Sequence, residues 1–301
     1  GFLKSLIASC SSLDTPTWIV VKNLTAHLRL HDIPEYVQVL YPPALTVDPE
    51  AVRRLAAQDQ YTADEATLSV KLAWYEPQAR WQLPLHGNEK SVWTGKVACT
   101  RASQAYREQF QQTTTVSLID HYHLLQILSD TDHPAHELLS EQTHVIVDDA
   151  SMLEDTATKA LGFHCNLEHL RAAAEGNQEL TSLADLLQIW LEKSRQQQDL
   201  YYLTAADLAS SEAVALLQRI IDLLDSAVAN TDRWQLEQLR NILQGDVRSL
   251  IIWLETQPQS GAQFLQAVPR HVAALLATHL YNHHPVTLLL PPGHQDTMRE
   301  I

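Results

Sequence analysis

The chain has 301 residues, of which 45% are hydrophobic and 19% charged, and its 21 Lys and Arg against 36 Asp and Glu give a net charge of −15. This composition excludes a disordered tail and suits two or three compact units. The negative balance argues against a broad nucleic-acid surface, because basic residues occur only in short pairs such as Arg53-Arg54. Three widely spaced cysteines, Cys10, Cys99 and Cys165, argue for a reducing compartment and against a disulfide scaffold. No run reaches the roughly 18 apolar residues of a membrane span, and the first residues lack a charged region with a cleavage site. A cytoplasmic protein with no membrane partner is expected.

In chain order, residues 1 to 12 read as a short amphipathic helix, and Asp14-Thr15-Pro16 is a turn before the buried strand Thr17-Trp18-Ile19-Val20-Val21. Leu24, Leu28 and Leu30 continue as a helix that stops near Asp32-Ile33-Pro34. Helix, strand and helix make an α/β opening. From about 42 to 111 the pattern changes to Pro42-Pro43, polar helical stretches and aromatic segments at Trp74-Tyr75 and Trp81, which predict an inserted, mostly helical subdomain. Val116 to Ile119 is the next strand, His121 to Leu128 a helix, and Val145 to Val147 a strand. Beyond Gly162 the chain reads as almost wholly helical. Leu183, Leu186, Leu187, Trp190 and Leu191, then Leu216, Leu217, Ile220, Ile221, Leu223 and Leu224, recur at the spacing of bundle faces. Ser194 to Gln198 reads as a helix end. After Pro269, a helix over Val272 to Leu280 leads to a short buried strand within Pro285 to Leu290, so the α/β unit resumes. No 20 to 50 residue repeat is visible.

The richest stretch is Thr143 to Asp155, where three β-branched residues suit a strand buried on both faces of a parallel sheet and run into Asp148-Asp149. The carboxyl ends of such strands are where α/β sheets bind ligands. In nucleotide motors the first acid there holds Mg²⁺ and the second orients the attacking water. The alternative is a strand followed by an acidic helix N-cap. Among the fifteen histidines, His121 with His123, His283-His284, and His164 with Cys165 and His169 are the groups that could offer zinc ligands. They read as surface and helix-end residues, since His164 and Cys165 would point apart on a helix. No Gly-x-Ser-x-Gly elbow occurs, and eight glycines count against a dinucleotide loop. Trp74, Tyr75, Trp81 and Trp93 could stack bases, but without accompanying Lys or Arg they read as core.

The order of elements resembles the first motor domain of the DinG and XPD family of superfamily 2 DNA helicases. Asn23 to Leu28 with Asp32-Ile33-Pro34 is similar to the motif Ia helix. Leu72-Ala73-Trp74 and Trp81-Gln82-Leu83 are similar to the approach to the iron–sulfur subdomain. Cys99 to Tyr106 with Leu118 to Leu125 is similar to its end and the following strand and helix. Val145 to Asp155 is similar to the acidic box, and Ala267-Val268-Pro269 with Thr287 to Leu290 to the return from the arch. The resemblance implies an α/β fold: a parallel-sheet RecA-like motor domain (1–50, 112–162 and 268–301) with a small helical insertion at 51–111, a degenerate iron–sulfur subdomain, and a helical arch-like domain at 163–267.

The functional motifs depart from the family pattern. The box becomes Asp148-Asp149-Ala150-Ser151: Asp148 keeps the metal position, Asp149 is a methylene shorter than the Glu that would orient water, and Ser151 cannot replace the coupling His. Displacement by about 1 Å can cost around a hundredfold in rate. Asp148 and Asp149 are the candidate catalytic pair and Asp148 the candidate Mg²⁺ ligand. Lys4 and Ser5, in Gly1-Phe2-Leu3-Lys4-Ser5, are the candidate ATP site if this is the end of a Walker A motif. A Lys-Ser pair that merely starts a helix is the alternative. A cluster needs four thiolates and only Cys99 remains in the region, so no iron–sulfur cluster is expected and Cys99 reads as a small buried hydrophobe. Leu289-Leu290-Pro291-Pro292-Gly293 replaces the hydroxyl-rich motif III, and there is no second motor domain. The leading expectation is a degenerate or partial DNA helicase that keeps a role in binding single-stranded DNA or a protein partner. The alternatives are a fragment of an active, ATP-hydrolysing helicase that needs a second motor domain, and a non-catalytic interaction adaptor.

Overall fold

The computed structural model describes residues 2–13, 15–112, 114–130, 133–167, 170, 178–195, 200–225, 233–257 and 262–291. They divide into two compact units, Gly1–Leu153 with Leu276–Ile301 and Glu154–Leu275.

In the first unit, helix α1 (Phe2–Ser11) buries Leu3, Ile7 and Cys10, the i, i+4, i+7 stripe of an amphipathic helix. That stripe packs in one cluster with Ile19 and Val21 of strand β1 (Thr17–Val21) and Val116 and Leu118 of β3 (Val116–Asp120). All five residues of β1 are buried, as expected for a strand covered on both faces. Helix α2 (Leu24–Leu30) starts at Asn23, whose side chain accepts the Ala26 N–H at 3.0 Å. Strands β2 (Val37–Val39), β4 (His144–Val147) and β9 (Val286–Leu288) complete a sheet of order β2-β3-β1-β4-β9. Every pairing in it is parallel, with Ile19 beside Leu118 on one side and Ile146 on the other. The expected parallel α/β architecture is present.

Between β2 and β3 the insertion folds as helices α3 (Pro49–Ala56), α4 (Ala63–Tyr75), α5 (Glu89–Lys96) and α6 (Gln104–Glu108). Leu55, Leu68, Leu72, Leu83, Trp93 and Val97 form its own core. Helix α4 opens with a reciprocal capping box between Thr62 and Glu65. Two buried carboxylates are tied by lysines: Glu89 to Lys71 at 2.6 Å, and Glu65 to Lys96. Hydrogen bonding from Lys71 holds the Glu89 carboxyl below the usual glutamate range. Removing one partner of a buried pair leaves an uncompensated charge. Lys71→Met is therefore expected to lower the melting temperature, and Lys71→Met/Glu89→Gln to recover most of the loss in the same thermal melts. An equal loss in single and double variants would show that the loss does not come from an uncompensated Glu89 carboxylate but from other Lys71 contacts, such as its bond to the Pro84 carbonyl.

The second unit opens with α8 (Leu153–Ala160) and contains helices α9 (Gln178–Arg195), α10 (Ala205–Leu208), α11 (Ser211–Asp225), α12 (Arg233–Leu243) and α13 (Val272–Leu276). The leucine stripes expected for bundle faces lie on α9 and α11 and are buried at Leu183, Leu187, Trp190, Leu216 and Ile220. The helices are accompanied by a four-stranded antiparallel sheet, which corrects the expectation that the chain beyond Gly162 is almost wholly helical. Its order is β5-β8-β7-β6, from β5 (Phe163–Asn166), β6 (Leu200–Tyr202), β7 (Leu250–Thr256) and β8 (Gln263–Pro269). In β7, Ile252 and Leu254 are buried and Ile251 and Trp253 less so, the two-residue alternation of a half-covered strand. His164 and Cys165 lie on strand β5 and not on a helix: Cys165 is buried and the His164 ring stacks on Phe264 at 5.3 Å. Helix α13 is shorter than expected and passes into a π-helical turn, Ala277–Tyr281. His169, residues 196–198, Pro292 and Gly293 lie outside the described residues.

The aromatic residues of the insertion divide. Trp93 is fully buried, whereas Trp74 is 84% and Tyr75 57% exposed, so the expectation that these aromatics are all core fails for the end of α4. Trp74 sits one turn after exposed Val70 on a helix whose opposite face, Leu68 and Leu72, already fills the core.

Candidate functional site at the carboxyl edge of the parallel sheet

Because all five strands run in one direction, their carboxyl ends share one edge, where open α/β sheets place ligands. Three successive strands deliver polar residues there: β1 leads to Lys22 and Asn23, β3 ends in Asp120, and β4 runs into Asp148 and Asp149.

The Asp148 N–H donates to the Val20 carbonyl at 2.8 Å, which holds the turn against β1. The Asp149 N–H donates to Asp148 Oδ1 at 3.0 Å. Asp149 has φ +52°, a left-handed conformation that costs a non-glycine residue roughly 1–2 kcal/mol. From that position Asp149 Oδ1 accepts the Ser151 hydroxyl at 2.7 Å and Oδ2 faces Lys22 Nζ at 3.5 Å. The Ser151 bond is made within the turn itself, while the Lys22 contact reaches across from the end of β1.

His121, the first residue of helix α7 (His121–Ser129), closes the turn from behind. Its Nε2–H donates to the Asp148 carbonyl at 2.7 Å. Burial pushes its pKa below the ordinary histidine value, opposed by the Asp148 carbonyl bond and by the charges of Asp149 and Asp148. His27 of α2 is held low in the same way by burial, again opposed by Asp148. Asp120 caps α7 by accepting the His123 N–H at 2.7 Å, and burial pushes its carboxyl up to about 6.

Asp148 and Asp149 are thus adjacent at a strand tip, as the spacing requires. Lys4 and Ser5 lie on the exposed side of α1, where Lys4 Nζ is 3.9 Å from Asp32 Oδ2 and the Ser5 carbonyl accepts the Ser9 hydroxyl. Neither pairs with Asp148 or Asp149. Among the described residues no group of three or more His, Cys, Asp and Glu side chains could hold a metal ion. The donor set does not fit a Mg²⁺–nucleotide centre as it stands: one oxygen of Asp148 is used within the turn, and Asp149 faces an ammonium and a hydroxyl. The three cysteines are free and lie on α1, in the insertion and on β5. Burial pushes the Cys99 thiol up to about 11, with the Asp48 charge adding to it. No described helix is long and apolar enough to cross a membrane. Lys22 and His121 were not legible as partners of the acidic turn, because Lys22 follows β1 and His121 opens α7, both far from Asp148 in the chain.

No family model and no curated protein matches the chain. Solved structures do. A structure titled "XPD_Helicase" superposes with a TM-score of 0.51 at 14% identity, covering 99% of this chain and 54% of that one. "XPD_APO" (TM-score 0.42, 11% identity, 100% and 55% covered) and "Truncated XPD" (0.46, 12%, 99% and 88%) are further neighbours. The first of these shows that the chain shares the XPD-like fold, and the chain spans about half the length of that structure's chain.

Proposed function

We propose that this chain is a DinG/XPD-like motor domain whose ATP site is degenerate and whose role is to bind, with single-stranded DNA as first candidate and a protein partner, including a second motor domain, as the next. The observation that carries this reading is the state of the acidic turn. A carboxylate that must orient water has to be free to accept its proton, and Asp149 is instead held by Lys22 and Ser151. Lys22 follows β1 and immediately precedes Asn23 to Leu28, the segment that resembles the motif Ia helix, so the same lysine is positioned to meet a phosphate if Asp149 releases it.

A second reading has its own support: the chain spans 54% of the helicase it resembles. As part of a longer enzyme, Asp148 would supply the one carboxylate to Mg²⁺, with turnover awaiting a second motor domain. The test is titration with labelled single-stranded DNA at low and moderate salt, beside a fluorescent ATP analogue with Mg²⁺. DNA binding that weakens with salt, loses about tenfold in Lys22→Ala and occurs without nucleotide binding is the expected result. Saturable ATP hydrolysis abolished in Asp148→Asn would overturn it in favour of the second reading.

A further inference from the structure

The hydroxyl of Tyr106 stands in the core of the first unit between two imidazoles, 2.7 Å from His123 Nε2 and 2.7 Å from His133 Nε2. Tyr106 is on α6 at the end of the insertion, His123 is on α7, and His133 precedes the short helical turn Pro134–Glu137. A tyrosine has one proton to give, so it can donate to only one of the two rings.

The outer ends of the chain decide which. His133 Nδ1 accepts the Ala135 N–H at 3.1 Å, so that nitrogen carries no proton and neutral His133 is the Nε2–H tautomer, a donor to Tyr106. Tyr106 must then donate to His123 Nε2, which makes His123 the Nδ1–H tautomer. Its Nδ1 lies 3.4 Å from the Leu40 carbonyl, a group that can only accept. Two independent ends thus impose the same proton order: Ala135 N–H to His133, His133 to Tyr106, Tyr106 to His123, His123 to Leu40.

We propose that Tyr106 is a proton-ordered clasp that fastens the insertion to the N-terminal turn of α7, and that acid opens it. A protonated imidazole donates from both nitrogens, so His133⁺ would clash with the Ala135 N–H and His123⁺ with the Tyr106 O–H. The surroundings decide how strongly that is resisted. His133 faces Asp130, Arg101, His136 and Arg107, and His123 faces Arg101 as well as His133. Tyr106 faces Arg101, Asp130, Asp120 and Cys99, and Phe110 packs edge-on against its ring at 5.2 Å. The consequence reaches the sheet tip, because α7 also carries His121, whose ring holds the Asp148 carbonyl. Opening the clasp loosens the insertion from the helix that braces the acidic turn.

The test is imidazole NMR of the whole chain with hydrogen exchange as pH is lowered. At neutral pH, long-range ¹H–¹⁵N correlations are expected to show His123 as the Nδ1–H and His133 as the Nε2–H tautomer, both uncharged. On acidification, amides at and just after the end of α6, such as Arg107 and Phe110, should lose protection at least tenfold before those of β1. Tyr106→Phe, which keeps the ring packing, should move that loss upward by about one pH unit. Reversed tautomers, a charged imidazole at neutral pH, or simultaneous loss in α6 and β1 would overturn the proposal. Should Tyr106→Phe fail to fold, the wild-type tautomers and order of exchange decide alone.

Discussion

Trp93→Ala is expected to cost the protein about 3–5 kcal/mol of stability, the range for removing a large aromatic side chain from a core. Trp93 is fully buried and shares the insertion core with Leu55, Leu68, Leu72, Leu83 and Val97. Its indole N–H also donates to the Ala44 carbonyl at 2.8 Å, tying α5 to the segment that leaves β2. Truncation opens a cavity among leucines and strips that carbonyl of its partner, whose desolvation adds to the loss when no water can enter. Trp93→Phe refills most of the volume without the N–H, so it should cost about 1–3 kcal/mol, and the difference between the two variants isolates packing from hydrogen bonding. Denaturant melts of both variants check this. A loss below about 1 kcal/mol for Trp93→Ala would mean that the insertion is held by its ion pairs, Lys71 with Glu89 and Lys96 with Glu65, and not by its core.

The contrast between Trp93 and Trp74 shows where sequence reading ends. Both sit on insertion helices, yet Trp93, between Val92 and Thr94, is buried, whereas Trp74, between Ala73 and Tyr75, is almost fully exposed. Local composition would sooner bury Trp74, and which face of a short helix meets its neighbour is a tertiary fact. The parallel strands were legible because Trp18 to Val21, Val116 to Ile119 and Val145 to Val147 are buried on both faces, and continuous β-branched runs suit that setting. Strand β2 is three residues long and too short to show a period. The sheet of the second unit escaped because Leu250 to Leu254 is an apolar run of ambiguous length between stretches of strong helical spacing, where periodicity alone cannot separate strand from helix.

At the sheet edge, Asp148 and Asp149 were legible from their position after β4, but the state of Asp149 was not. It depends on a lysine from β1 and on a left-handed backbone angle at a residue that is not glycine. The Tyr106 clasp was likewise hidden: its members are 17 and 27 residues apart and belong to no motif. The spacing of His121 and His123 makes them a visible pair, but both are buried and not surface residues. They serve different structures, one behind the acidic turn and one in the clasp, because alternate residues at a helix start point to different sides.

Acid should destabilise the first unit above the pH at which ordinary carboxylates are neutralised, and the sign follows from the buried histidines. Burial, with His133 and Arg101 adding, holds His123 at about 3; burial holds His133 at about 4, with Asp130 opposing. In an unfolded chain both would titrate near 6.5. Between those values the unfolded state binds protons that the folded state refuses, so stability is full above about 6.5 and is lost as pH falls toward the folded values. Each pH unit over which the two states differ by one bound proton is worth ~1.4 kcal/mol per group. Asp120 works in the opposite sense. Its carboxyl is pushed up to about 6 by burial, so its contribution is present at low pH and lost as pH rises through 6. Two depressed histidines outweigh one raised carboxyl, and the net result is a fall in stability between about pH 6.5 and 4.5. Urea unfolding followed by tryptophan fluorescence at half-unit intervals would read it directly, with the midpoint constant above pH 7 and dropping steadily below 6.5. A midpoint flat down to pH 5 would mean that one imidazole is already charged in the native state, or that Asp120 alone balances both. His123→Gln separates these cases: its amide can accept from Tyr106 but does not titrate, so it should flatten part of the acid slope if His123 is neutral in the fold and leave the slope unchanged if it is not.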